Sequence, residues 1–172
     1  LTILGLSFSQ TQDNAYVLIL IEEGGERRIP IIIGGAEAQA IAIQLENLKA
    51  PRPLTHDLFY NFAKSFEIEL TEVIIHKLQE GIFYAKIICK NKDSEVEIDA
   101  RTSDAVALAV RFNCPIFTTS DVISRAGIIL DLEKDLNQTE PGERKHNEFE
   151  TYSEKELNDL LSMAITDEDY EK

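Results

Sequence analysis

Apolar residues recur along this chain in two rhythms. Alternation at every second position marks strands at about 2–9, 15–22 and 27–33, then again at about 68–78, 82–91 and 95–100. Spacing of three and four residues marks helices at about 36–48, 56–66 and 102–112. The helix at 56–66 follows the stretch PRPLTHDL (51–58), and Leu58, Phe59, Phe62 and Phe66 form its apolar stripe, which predicts a core-facing side. A short strand, PIFTT, and a helical turn from Ser120 close the pattern near Leu130.

The order repeats. Displacing the chain by 67 positions lays Glu37 on Asp104, Ala38 on Ala105, Ala40 on Ala107 and Ile41 on Leu108. Ile29 falls on Val96, Ile31 on Ile98, and the run 17–21 on 84–88. The fold class predicted is α+β, with two pseudo-symmetric β-β-β-α units whose helices pack small residues against sheets. Each strand-to-helix junction carries an acid in the first helical turn, Glu37 or Asp104, where the helix dipole favours a negative charge. Thr102 or Ser103 is the expected N-cap of the second. Gly34-Gly35 has the wrong glycine spacing for a phosphate loop, and Glu37 beside it would repel phosphate.

Beyond residue 130 the pattern changes. Residues 131–151 are polar, contain Pro141-Gly142, and read as a linker. In 152–172, Leu157, Leu160, Leu161, Ala164 and Ile165 take helical spacing behind a Ser153–Glu156 capping box. Charge divides at the same place: residues 1–130 hold 12 Lys and Arg against 17 Asp and Glu (−5), and residues 131–172 hold 5 against 14 (−9). Binding nucleic acid through the overall field needs a basic protein, so any such contact must run through a local cluster or a bound cation. The 172 residues suit one cored domain, 1–130, with an appendage. No apolar run approaches the roughly 20 residues of a membrane span, and the N-terminus lacks the marks of a signal peptide. Cys89 and Cys114 make no disulfide framework and read as buried free thiols, so the expected setting is the reducing cytoplasm.

Four stretches, IPIIIGGAEAQAIAIQLE, PRPLTHDL, GIFYAKI and DARTSDAVALAVRFNCPIF, come in the order and spacing of the bifunctional nuclease domain family, which residues 1–128 resemble. The resemblance implies a compact domain of repeated β-rich units, and an activity like that of plant members described as acting on both RNA and DNA. Thr102 stands where the family usually has proline, which alters a backbone preference but removes no polar group. The tail resembles the first part of the helical-hairpin motif named after the UvrB and UvrC excision-repair proteins.

The polar residues these motifs bring forward are Glu37, Arg52, His56, Asp57, Asp99, Arg101, Ser103 and Asp104. Singly, each has a structural explanation: Asp57 as a helix cap, His56 as a surface first-turn residue, Asp99 and Arg101 as a cross-strand ion pair. Together they hold what phosphodiester hydrolysis requires. Asp99, Asp104 and Glu37 are candidate ligands for Mg²⁺ or Mn²⁺, because hard cations take oxygen donors. Arg52 and Arg101, with Ser103, are candidate phosphate contacts. His56, oriented by Asp57, is the candidate general acid or base, with Asp99 and Asp104 completing the catalytic set. The expected partners are DNA, RNA or both, a second copy of the chain, and a protein recruited by the acidic tail. The competing reading is a non-catalytic oligomeric interaction module.

Overall fold

The computed structural model describes residues 1–9 and 15–129. The linker and tail readings for 131–172 lie outside the described residues, and everything below concerns the unit that ends near Leu130. Strands β1 (Thr2–Phe8), β2 (Ala15–Ile21) and β3 (Arg27–Gly34) lead into α1 (Gly35–Leu45) and α2 (Thr55–Ser65). Strands β4 (Glu69–Gln79), β5 (Ile82–Lys90) and β6 (Glu95–Arg101) lead into α3 (Thr102–Phe112), followed by β7 (Ile116–Thr118), α4 (Ser120–Ala126) and β8 (Ile128–Ile129). The fold is α+β. α1 and α3 have 11 residues each and begin directly after a third strand, at Gly35 and Thr102.

Two four-stranded sheets carry the helices, ordered β1-β2-β3-β8 and β6-β5-β4-β7. All pairings are antiparallel except β4 with β7. Register aligns the buried faces: Leu18 lies opposite Ile31 and Leu20 opposite Ile29, and all four are buried. Because strand side chains alternate, the intervening Pro30 and Ile32 point away from that core. Pro30 is tolerated because, among the described residues, β8 pairs only with Arg27 and Arg28, leaving β3 an edge from there on. In the second sheet Val73, Ile75, Ala85 and Ile87 form the buried face. Against it lies α3, whose run from Ala105 to Ala109 is buried throughout; small side chains let it approach closely and touch α1 and α2 as well.

Several expectations need correction. The stripe Leu58, Phe59, Phe62 and Phe66 does not face the core: these residues are 41–64% exposed, and Ala63 is the buried residue of α2. The helix rests on its other side, where Tyr60 meets Phe112 edge-on at 4.7 Å and Asp57 bonds Arg111. α1 stops at Leu45 rather than running to residue 48. Neither Thr102 nor Ser103 caps α3: Arg101 holds the N-cap position without a side-chain cap, and the Thr102 hydroxyl donates to the Phe83 carbonyl at 3.1 Å. A proline at that position, as in the family pattern, lacks this bond.

Candidate functional site

Three helix starts converge. Glu37 stands in the first turn of α1, His56 in that of α2 and Asp104 in that of α3, while Arg101 ends β6 just before α3. Arg101 Nη2 donates to Glu37 Oε1 at 2.7 Å and to Asp104 Oδ1 at 3.2 Å, and its Nε donates to Asp104 Oδ2 at 2.7 Å. His56 Nε2 lies 2.9 Å from Asp104 Oδ1. A carboxylate only accepts, so Nε2 carries the proton and Nδ1 is left as the basic nitrogen of the neutral ring. These four side chains, with Pro53 and Thr55, line a cleft of about 460 Å³. The Arg101 side chain is 70% exposed at its mouth, whereas Glu37 and His56 are largely buried.

Electrostatics hold Asp104 ionised. Burial alone would raise its carboxyl, but hydrogen bonds from Arg101 and His56 outweigh that and leave it below the usual carboxylate range. The bonds to Asp104, and then to Glu37, push the Arg101 guanidinium up in turn. Cys114, by contrast, is raised by burial to about 11, so it is a thiol at neutral pH and no nucleophile.

Not every predicted residue joins the cluster. Asp57 does not orient His56; its Oδ2 accepts from the Leu54 backbone at 2.9 Å and its Oδ1 from Arg111 Nε at 2.7 Å. Asp104, 48 positions along the chain, holds the imidazole instead. Asp99 lies exposed on β6 and Arg52 exposed between α1 and α2, and neither lines the cleft. Ser103 faces a second cavity of about 410 Å³, with Arg101 standing in the wall of both. Arg111 was missed by the sequence reading. Its side chain is 3% exposed, and beyond Asp57 it donates to the carbonyls of Ala107 at 2.8 Å and Ala40 at 3.2 Å, tying α1, α2 and α3 together behind the site. The available signal was a lone cation seven residues after Asp104 on an otherwise small and apolar helix, hence on the same face.

As folded, the acids do not fit a divalent cation. The space between Glu37 and Asp104 is taken by the guanidinium, and the third expected ligand, Asp99, is elsewhere. Among the described residues no three His, Cys, Asp or Glu side chains gather in a ligand set.

Fold and cluster together define a class: an α+β domain with a histidine–aspartate pair and an arginine at one cleft. Residues 18–131 match the family model described as the bifunctional nuclease domain. The chain is also 41% identical over 137 residues to an uncharacterized protein of Mycobacterium tuberculosis (Rv1829 in strain H37Rv), covering 80% of this chain and 81% of that one. With rice (Oryza sativa subsp. indica) bifunctional nuclease 1 it shares 23% identity over 105 residues, 58% of this chain but 31% of the rice protein. The same figures hold for the bifunctional nuclease of Oryza minuta. The chain belongs to the bifunctional nuclease domain family.

Proposed function

We propose that this domain hydrolyses phosphodiester bonds of DNA and RNA at the His56–Asp104–Arg101–Glu37 cleft. The observation that carries the reading is the convergence of these four side chains, from three helix starts, at hydrogen-bond distance. His56 Nδ1 takes a proton from water as the water oxygen bonds to phosphorus, and Asp104 stabilises the imidazolium that results. The P–O bond to the leaving sugar oxygen breaks, and that oxygen takes its proton from solvent. Arg101, exposed enough to turn outward, offers its guanidinium to the phosphate oxygens, and Glu37 holds it in reach. A water nucleophile serves ribose and deoxyribose strands alike, because no 2′-hydroxyl takes part.

The test is cleavage of labelled single-stranded DNA and RNA with Mg²⁺, Mn²⁺ or EDTA. Wild type should cut both, and His56→Ala should lose about 100-fold or more. Cleavage abolished by EDTA and by Glu37→Gln, but intact in His56→Ala, would replace this mechanism with carboxylate-held metal.

The 67-residue spacing shared by sequence and element boundaries supports treating the two β-β-β-α units as a pseudo-symmetric pair. The exposed apolar face of α2 favours a second reading, self-association, which does not exclude catalysis.

A further inference from the structure

Arg101 separates two cavities of different character. The cleft at His56 has two acids in its wall, Glu37 and Asp104. The second cavity, between the end of β3, the β4–β5 turn and the start of α3, has no acid in its lining; apart from Arg101 its walls are uncharged. Ile32 and Ile82 flank it and are 52% and 58% exposed, giving it apolar walls open to solvent. Gly81 exposes bare backbone there, with no atom within 4 Å of the place a Cβ would take, and Phe83 is a further lining residue. Ser103, only 9% exposed, also lines the cavity, and among the described residues its hydroxyl has no hydrogen-bond partner. That hydroxyl opens onto the cavity and is free to bond a group that enters there.

We infer that this second cavity is a nucleobase subsite. The inference rests on the nuclease reading and extends it: a phosphate at Arg101 places the scissile bond on the His56 side and the adjoining base on the Ser103 side. A flat, neutral heteroaromatic ring suits apolar walls with one hydroxyl, where a phosphate would find a single cation. At about 410 Å³ the cavity lies within the span of small-molecule sites, which run from about 300 to 1,000 Å³. Serine both donates and accepts, so it bonds the edge of any base, and the subsite holds a base without selecting one.

The test titrates the ¹⁵N-labelled full chain with adenosine 5′-monophosphate and, separately, with ribose 5-phosphate, which lacks the base. The expected result is that the nucleotide shifts the amides of Gly81 and Ile82, across the cavity from Arg101, and the sugar phosphate, held at Arg101, does not. Ile82→Lys should weaken nucleotide binding about 10-fold or more, and Ser103→Ala about 5-fold. Equal shifts from both ligands, or shifts confined to Thr55 and His56 and unaffected by Ile82→Lys, would overturn the subsite. A cleavage assay separates the two proposals. If the nucleotide binds at Ser103 while wild type cuts nothing, the subsite stands and the nuclease reading fails. If cleavage depends on His56, but oligonucleotides with and without a base beside the cut share one KM in wild type and in Ile82→Lys, the nuclease stands and the subsite falls.

Discussion

At the scale of single residues, sequence adjacency misled where helix geometry decides. His56 and Asp57 are neighbours in the chain, and adjacent helical residues do not face each other. They point to different partners, Asp104 and Arg111, both on α3. The residue types at the site were legible, because Glu37, His56, Arg101 and Asp104 lie in recognisable motifs. Their meeting was not, because it depends on how three helix starts pack. Asp57 is the main partner of a buried cation, so Asp57→Ala should destabilise the domain by about 3 kcal/mol. Asp99→Asn, on an exposed strand position, should stay within about 0.5 kcal/mol. Urea unfolding compares them, and equal midpoints would show that Arg111 is satisfied without Asp57.

Asp57 and Asp104 also set the acid limit. For both, burial raises the carboxyl, but hydrogen bonds from Leu54 and Arg111, or from Arg101 and His56, bring it below the usual range. A carboxyl lowered in the folded state adds stability that is complete above the unfolded value of about 3.9 and is lost as pH falls towards the folded value. Wild-type stability should therefore drop below about pH 4 more steeply than that of Asp104→Asn. Melting temperatures between pH 5 and pH 3 measure this, and parallel curves would mean that Asp104 titrates alike in both states.

At the scale of elements, strands and helices followed directly from hydrophobic period, with boundaries mostly within a residue or two. The face that a helix buries was harder to read. α2 has an apolar side and a side bearing His56, Asp57 and Tyr60, and it is the second that packs against α3. Hydrophobic burial alone selects the first; the ion pair to buried Arg111 and the Tyr60–Phe112 contact select the other. The β4–β5 hairpin shows the opposite case, where local chemistry dictates structure. Glu80 and Gly81 form its two-residue turn with φ of 52° and 80°, a pairing that favours glycine. Gly81→Ala meets no atom within 4 Å of the added carbon, so its cost is backbone strain alone, about 1 kcal/mol. Thermal unfolding should show a loss of a few degrees; an unchanged midpoint would mean the turn relaxes freely.

At the scale of the whole molecule, the exposed face of α2 continues onto the second sheet. Phe59 and Phe62 share a groove with Val96 and Ile98 of β6, and Phe62 meets Phe66 at 4.8 Å with the rings tilted by 47°. No helix among the described residues is long and apolar enough to cross a membrane. From their fractional exposures, Leu58, the three phenylalanines, Val96 and Ile98 present about 500 Å² of apolar surface. A stable dimer buries about 800 Å² per partner, a little over half of it apolar, so this patch supplies the apolar share of such an interface. Among the described residues β6 is also the edge strand of its sheet, and a two-fold axis would set like patches against each other. The expected occupant is therefore a second copy. Sedimentation equilibrium should give a dimer or larger assembly for wild type, and Phe62→Lys with Val96→Lys should shift it to monomer without lowering the unfolding midpoint. A wild type that stays monomeric at high micromolar concentration would leave this face to a different protein and remove self-association from the account.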